Sequence, residues 1–500
     1  MSRTAPFISL TSRLNGAALL LSGGVAALWI FNWWCGRSLF LDEANLARNL
    51  FERSGGQLLR PLSFEQYAPP LWLLATDGLT HLFGFDERVL RLPALLSGLA
   101  ILVLGWWLPG RWFGAVGGGS DTGVAYSRLL WPALAGSSLF CLQYFTECKP
   151  YGTDLLVAAG LMYAALSPRA KGVSSGWVMG WAAAGVLIPW FSLPAVFGLA
   201  ATGLYLWYGS GRAGRWVWPA VFVIWGISFV LLYLGLLRDA VGISALQNFH
   251  REYFFPVDFW RAGAWVQAGG LLIHIFRAAV GHTVWALVWS GLLLLTGAIA
   301  LLQRRPILLW LALGSLVAAV AVSAAGKYSL IVRLCLFALP GLWMLVIYGT
   351  SLAAARRPKF SRPILLVGWI ISMAGANIYQ HTYRPLETDQ VRRILAERAY
   401  PDSPVFADGG AAGSVVYYAT IHPRTSQGSG YPLFEDVRDG TLADFLELYK
   451  ESPRLTLIFS LITTQRHYEQ VERAVGQLER AGYRIRRVDY YRGVRLEVER

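Results

Sequence analysis

Runs of about twenty apolar residues recur along this 500-residue chain, and no other feature limits its fold as much. A helix needs roughly 20 such residues to cross the hydrocarbon core of a bilayer. Full-length runs fall near 15–34, 91–109, 129–146, 151–167, 174–190, 191–208, 216–236, 283–302, 307–325, 329–350 and 363–380. The expectation is a polytopic α-helical membrane protein of about eleven transmembrane helices. Two further segments, 69–84 and 262–281, carry Asp77 with His81 and His274 with Arg277. They read as helices lying in the membrane interface or dipping partway into it. The first run is long and has no small-residue cleavage site, so it reads as a retained span rather than a signal peptide.

Charge supports this reading and gives it a direction. Only 15% of the residues are charged and 55% are hydrophobic, where soluble domains carry about 25% charged residues. With the N-terminus in the cytoplasm, the short inner loops hold Arg3, Arg13, Arg111, Arg128, Arg169, Lys171, Arg212, Arg215, Arg304, Arg305, Arg356, Arg357, Lys359 and Arg362, against the single acid Asp121. That asymmetry puts these loops inside. It leaves 35–90, 146–150, 237–282, 326–329 and the C-terminal part outside, facing the periplasm or the cell exterior. Were 69–84 a full span, every later basic loop would alternate sides. The net charge of +14 therefore orients a membrane protein and does not suggest a nucleic-acid partner. Cys35, Cys141, Cys148 and Cys335 have neither metal-site spacing nor a C-x-x-C pair.

Beyond 380 the composition changes: residues 381–500 balance acids against bases and lack cysteine. The chain is expected to divide into a membrane part, 1–380, including the first outer loop 35–90, and a small extracytoplasmic α/β domain, 385–500. Pro404–Ala407 and Arg454–Leu461 read as buried strands. Tyr483–Tyr491 and Val494–Val498 read as a terminal hairpin around Arg492 and Gly493. Helices fit 387–399, 441–451 and 466–481, the last stopped by Gly482. The domain has no phosphate loop or catalytic triad and is expected to serve as a lid or acceptor-binding domain.

Most acids of the membrane part fall on the outer side. Asp42 and Glu43 open the first loop, in Phe40-Leu41-Asp42-Glu43-Ala44; Glu147 closes the third run, in Thr146-Glu147-Cys148-Lys149-Pro150-Tyr151. Arg333 lies about one turn inside the outer end of the tenth run, after Lys327 and Tyr328. A cation at that depth either snorkels to the interface or meets an anion such as a lipid phosphate. Asp42-Glu43 equally suits the first turn of a surface helix, and Glu147 with Lys149 equally suits an interfacial ion pair.

The order of these motifs resembles that of the GT-C glycosyltransferases. An acidic pair follows the first span, Pro69-Pro70-Leu71 follows some 27 residues on, a second acid ends the third span, and Tyr328, Arg333 and Pro340 come late. The resemblance is strongest to the group holding the protein O-mannosyltransferases, the aminoarabinose transferases of lipid A and the lipopolysaccharide-core transferases, and it covers about 1–350. It implies a glycosyltransferase with a polyprenyl-phosphate sugar as donor, a hydroxyl as acceptor and inversion at the anomeric carbon. Asp42 then matches the general base and Glu147 the second acidic position. Glu43, Gln66, Tyr67, Lys149, Tyr151, Lys327, Tyr328 and Arg333 are the implied substrate contacts, with Lys149 and Arg333 on the phosphate. Ala68 stands where related enzymes often carry His or Lys, so this loop lacks that cation. Distant relatives hold a divalent metal between such acids, but no firm ligand set for one is readable here. The competing reading is a lipid-linked-sugar flippase or transporter. Such a protein favours paired broken helices at the membrane midplane and an internal repeat, and the sequence displays neither.

Overall fold

The computed structural model describes residues 10–117, 121–167, 174–238, 248–356, 367–369, 371–372, 391–422, 432–436, 440–460, 465–490 and 492–500. Most of the expected span at 363–380 lies outside these residues, as do Arg3, Arg169, Lys171, Arg357, Lys359 and Arg362.

The chain is a polytopic α-helical membrane protein with a small C-terminal α/β domain. Among the described residues, seven helices are long and apolar enough to cross a membrane: Thr11–Trp34, Glu87–Val116, Trp218–Leu237, Ala262–Val280, Val284–Arg304, Pro306–Ala324 and Val332–Ala355. Ser175–Phe191 and Ala195–Gly209 are apolar but shorter, as is Tyr151–Ala165. Segment 262–281, expected to be helical, forms an unbroken helix of 19 residues, and by length and composition it could cross a membrane. Its Arg277 is in the last turn, from which a long side chain can reach polar surroundings. Pro70–Phe83 has only 14 residues. At 1.5 Å per residue it falls well short of a bilayer.

The described chain forms two compact units. The first comprises residues up to Phe31, Ala68–Trp72 and Pro93–Tyr383. Its core holds Trp131 edge-on to Trp343, with ring centroids 5.1 Å apart. The indole N–H groups of this pair are both satisfied, Trp131 donating to the Ile101 carbonyl and Trp343 to that of Ala279. Two glycines set one close helix contact. A Cβ on Gly297 would strike the Leu345 carbonyl oxygen, and one on Gly349 would strike that of Leu293. Lipid offers helices no hydrophobic driving force to associate, so they pack through such close backbone approach.

The second unit comprises Asn32–Tyr67, Leu73–Leu92 and Arg384–Arg500. Compactness thus groups the loop after the first helix with the C-terminal chain. A five-stranded sheet in the order β2-β1-β3-β5-β4 organises this unit. Its strands are β1 (Val405–Ala407), β2 (Leu433–Glu435), β3 (Arg454–Ser460), β4 (Arg484–Tyr490) and β5 (Gly493–Glu499). β1 runs parallel to β2 and β3, while β5 is antiparallel to β3 and β4. Phe406, Phe434, Phe445, Leu457 and Phe459 fill the core beneath helix Gln465–Arg480, which contributes Val471, Ala474 and Leu478.

Candidate functional site

In the second unit, α1 (Leu10–Trp34) ends in a loop that delivers the chain to α2 (Leu41–Glu52). Asp42 and Glu43 occupy the first turn of α2, where carboxylates are favoured by the helix dipole. They have separate surroundings. Asp42 is half-buried. Glu43 is fully buried and turns back to accept from the Phe40 N–H at 3.1 Å. Arg91 grips it with two bonds, Nε to Oε1 at 2.8 Å and Nη2 to Oε2 at 2.9 Å, and Arg37 reaches Oε2 at 3.3 Å. Arg91 also donates to the carbonyls of Arg37 and Ser38. A forked, permanently charged donor suits this task, since it closes a carboxylate and two carbonyls at once. The loop that aims Asp42 is therefore fastened at 37, 38, 40 and 43.

The C-terminal segment of the same unit fastens residue 39. Ser414 Oγ donates to the Leu39 carbonyl at 2.9 Å, and the Leu39 N–H donates to Tyr418 Oη at 2.8 Å. Gly413 lies close beneath α2, where a Cβ would displace the end of the Asn45 side chain. Further along α2, the buried Arg48 pairs with Glu435 at 2.9 Å and stacks on Phe64 at 4.1 Å. Asn49 exchanges hydrogen bonds with the backbone of Ser63. Phe64 and Glu65 adopt positive φ, 61° and 54°, and the chain then presents Gln66 and Tyr67. Gln66 is buried and donates to the Phe64 carbonyl at 3.2 Å, while Tyr67 is half-buried.

The remaining candidates belong to the first unit. The expected third span is broken at Ser138, where the helix Asp121–Ser137 ends and Ser138 Oγ caps Leu139–Tyr144 by accepting from Cys141 N. The turn that follows carries Glu147 and Lys149, both buried. Gln143 Nε2 donates to Glu147 at 2.9 Å. Phe145 anchors the turn: a Cβ on Gly98 or on Gly152 would collide with its ring, which also meets Trp29 at 4.7 Å. Tyr151 opens the helix Tyr151–Ala165 and lies edge-on to Tyr144 at 5.0 Å. Arg333 rides half-buried on the short 3-10 helix Val332–Ala338. Tyr328 Oη braces that turn by donating to the Leu334 carbonyl at 2.7 Å. Lys327 is exposed.

No protein-family model matches the sequence, and no curated protein matches it. Solved structures do. The fold is similar to that of ArnT. The apo crystal structure of ArnT from Cupriavidus metallidurans aligns over 96% of this chain and 98% of that one, with a TM-score of 0.56 at 16% identity. The structure of the same protein bound to undecaprenyl phosphate aligns over the same shares at 15% identity and a TM-score of 0.48, below the level that argues a shared fold.

Within this ArnT-like fold the ten sequence candidates divide by compact unit. Asp42, Glu43, Gln66 and Tyr67 belong to one, and Glu147, Lys149, Tyr151, Lys327, Tyr328 and Arg333 to the other. Two groups escaped the sequence reading. Asp154, one turn into the helix after Glu147, is buried beside Ser192 and within electrostatic reach of Tyr328. His250 hydrogen-bonds Ser329 at 3.0 Å, and the Tyr253 carbonyl accepts from Leu330 N at 2.9 Å. These bonds tie segment 250–253 to residues 329–330, a few positions before Arg333. Burial first, and then the Arg333 charge, hold the His250 imidazole below its ordinary pKa. Asp154 had a legible signal, a lone acid inside an apolar run. The His250 contact spans 79 residues and no local pattern marks it.

Proposed function

We propose that this protein is a glycosyltransferase that moves a sugar from a polyprenyl-phosphate carrier to a hydroxyl acceptor at the outer face of the plasma membrane. The observation that carries the reading is Asp42 on the first turn of a helix whose approach is immobilised from 37 to 43, in a chain with an ArnT-like fold. A fixed carboxylate that keeps partial access to solvent is what a general base needs.

In this mechanism Asp42 takes the proton of the acceptor hydroxyl. The freed oxygen attacks the anomeric carbon, the bond from that carbon to the carrier phosphate oxygen breaks, and the phosphate leaves with the electron pair. The anomeric centre inverts. Lys149 and Arg333 stabilise the charge growing on the phosphate, in surroundings where such contacts are stronger than in water. Glu147 orients sugar or acceptor, Gln66, Tyr67, Tyr151 and Lys327 line the donor path, and Tyr328 holds the Arg333 turn. Glu43, its oxygens taken by arginines, positions Asp42 and does not meet substrate.

The test is transfer from a panel of radiolabelled polyprenyl-phosphate sugars to a membrane extract. Wild type is expected to transfer from one of them, and a stably folded Asp42→Asn variant to lose that transfer. Full transfer by the variant would remove Asp42 as the base. Failure of both, with carrier lipid still crossing vesicle membranes, would favour the transporter reading.

A further inference from the structure

A cationic cluster stands at one end of the helix Ala262–Val280 in the first unit, and none of its residues has a part in sugar transfer. His274 and Arg277 are three positions apart, so they share a face of the helix. His282 follows in the short turn before the next helix, Val284–Arg304, and its ring stacks on Phe140 at 5.8 Å. Arg277 and His282 are half-buried and His274 is exposed. Burial first, and then the charges of Arg277 and His274, hold the His282 imidazole below its ordinary pKa. The three groups are thus near enough to act on one another, and both charges that reach His282 are cationic.

The end of a helix ordinarily attracts such cations because its last carbonyls lack partners. Here those carbonyls are taken. The Gly281 N–H donates to the Arg277 carbonyl at 2.9 Å, Ser138 Oγ to that of Ala278 at 2.6 Å and Trp343 Nε1 to that of Ala279 at 2.7 Å. The cations therefore serve something other than the cap. Carboxylates do not claim them either. Among the described residues neither Arg277 nor His274 forms an ion pair, and the Arg277 Nε is buried with no hydrogen-bond partner. The neighbouring surface is apolar and faces outward: Leu272, Ile273, Val284, Trp285 and Val288 are all exposed. Lipid chains cover such a surface, and a tryptophan at a helix start marks the headgroup level. An uncompensated arginine there is costly unless it meets an anion. In a bilayer the anion at hand is a lipid phosphate.

We propose that His274, Arg277 and His282 bind the headgroup phosphate of an anionic glycerophospholipid from the surrounding bilayer. Arg277 supplies a permanent charge and a fork of donors. His274 and His282 add ring N–H groups, and the acyl chains lie along Ile273 and the exposed face of Val284–Arg304. Because no carboxylate pairs with Arg277 or His274 among the described residues, a headgroup of net negative charge fits better than a zwitterionic one, whose ammonium would meet only cations. His282 stacks on Phe140 and Ser138 holds Ala278, so the lipid also braces the break between Asp121–Ser137 and Leu139–Tyr144. The site is independent of the transferase reading and would exist in a protein with any activity.

The test is native mass spectrometry of the delipidated full-length chain in detergent, titrated with phosphatidylglycerol, with phosphatidylethanolamine and with inorganic phosphate. Wild type is expected to hold about one phosphatidylglycerol per chain, roughly tenfold more tightly than phosphatidylethanolamine. An equal concentration of inorganic phosphate should not displace it. Arg277→Gln should bind phosphatidylglycerol about tenfold more weakly, the effect of losing one charge-assisted hydrogen bond, and His274→Gln should weaken it by a smaller factor. Arg261→Gln removes the same charge at the other end of the helix, where Arg261 pairs with Asp258, and should bind like wild type. Wild type and Arg277→Gln should unfold at the same temperature without added lipid, which separates a lost ligand from a lost fold. Should Arg277→Gln fold poorly, His274→Gln, altered at an exposed position, carries the comparison. Equal binding by wild type, Arg277→Gln and His274→Gln would overturn the proposal, and so would an equal loss in Arg261→Gln. Displacement by inorganic phosphate would also overturn it, making the site one for a free anion.

Discussion

Glu43 and Arg91 are both buried, and each is the other's principal counter-charge. Removing one partner from such a pair strands the other's charge away from water, which costs about 3–5 kcal/mol, whereas replacing both by apolar groups costs far less. Glu43→Gln and Arg91→Met are each expected to destabilise by about that much. The double substitution should recover a good part of the loss, because the two residues are in contact and their effects do not add. Unfolding midpoints of the four proteins in one detergent check this; strictly additive losses would mean that the pair is not the unit of stability. His250 supports a second prediction at this scale. Burial and the Arg333 charge hold its pKa below 6.5. An anion on Arg333 would offset that charge and raise the pKa, so binding the anion takes up a proton. A sugar phosphodiester keeps a single charge throughout this range, so its affinity should strengthen as pH falls through the region below 6.5. A one-unit rise corresponds to about tenfold. Donor binding measured from pH 5 to pH 8 should show that slope in wild type and lose it in His250→Gln.

Among elements, the small C-terminal sheet was legible because its signals are local. The hydrophobic block of β3, the amphipathic helix Gln465–Arg480 and the β4–β5 hairpin with Arg492 at positive φ all stand close to where the sequence puts them. β2 was missed because it is a three-residue strand paired on one side only. Residues 412–421 were missed for another reason: Val415, Val416, Tyr417, Tyr418 and Ile421 favour strands, yet packing makes them helical beneath α2. This element holds Leu39, and with it the approach to Asp42. Asp42 thus stands out as a candidate from its place in the chain, whereas the bonds that fasten the loop before it do not, because they join residues more than 370 apart. The sheet has its own pH signature. Asp408 ends β1 and accepts from Ala411 N and Ser460 N, yet burial, helped by the neighbouring Asp436, pushes its carboxyl up to about 7. The folded form thus binds a proton more tightly than the unfolded chain, whose aspartate titrates near 3.9. The stabilisation is complete below about pH 4 and lost as pH rises through 7. Asp408→Asn should remove this dependence and raise the unfolding temperature at pH 8; an unchanged slope between pH 5 and 8 would place the titration elsewhere.

At the scale of the whole molecule, the outer-face reading depends on which side of the bilayer Asp42 faces, and the protein carries its own reporter. Cys35 is exposed, whereas Cys141, Cys148 and Cys335 are buried. Cys35 stands seven positions before Asp42 in the same loop. A maleimide that cannot cross membranes, added to intact spheroplasts, should label wild type and fail to label Cys35→Ser. Two single cysteines in that Cys35→Ser background extend the map. Glu451→Cys, in the C-terminal domain, should react from outside, and Arg212→Cys, in a basic loop, only after the membrane is opened. Both positions are exposed. The charge asymmetry that predicts this pattern acts through loops close to the spans, so each cysteine tests the rule at a separate place. If Cys35 and Glu451→Cys react only in opened cells, the chain is inverted. Asp42 would then face the cytoplasm, and a carrier presenting its sugar at the outer face could not be its substrate. If Cys35 reacts from outside but Glu451→Cys does not, the two parts of the second compact unit would lie on opposite sides of the membrane. The bonds from Leu39 to Ser414 and Tyr418 forbid that, so the labelling pattern tests the pairing of the first loop with the C-terminal domain as well as the orientation.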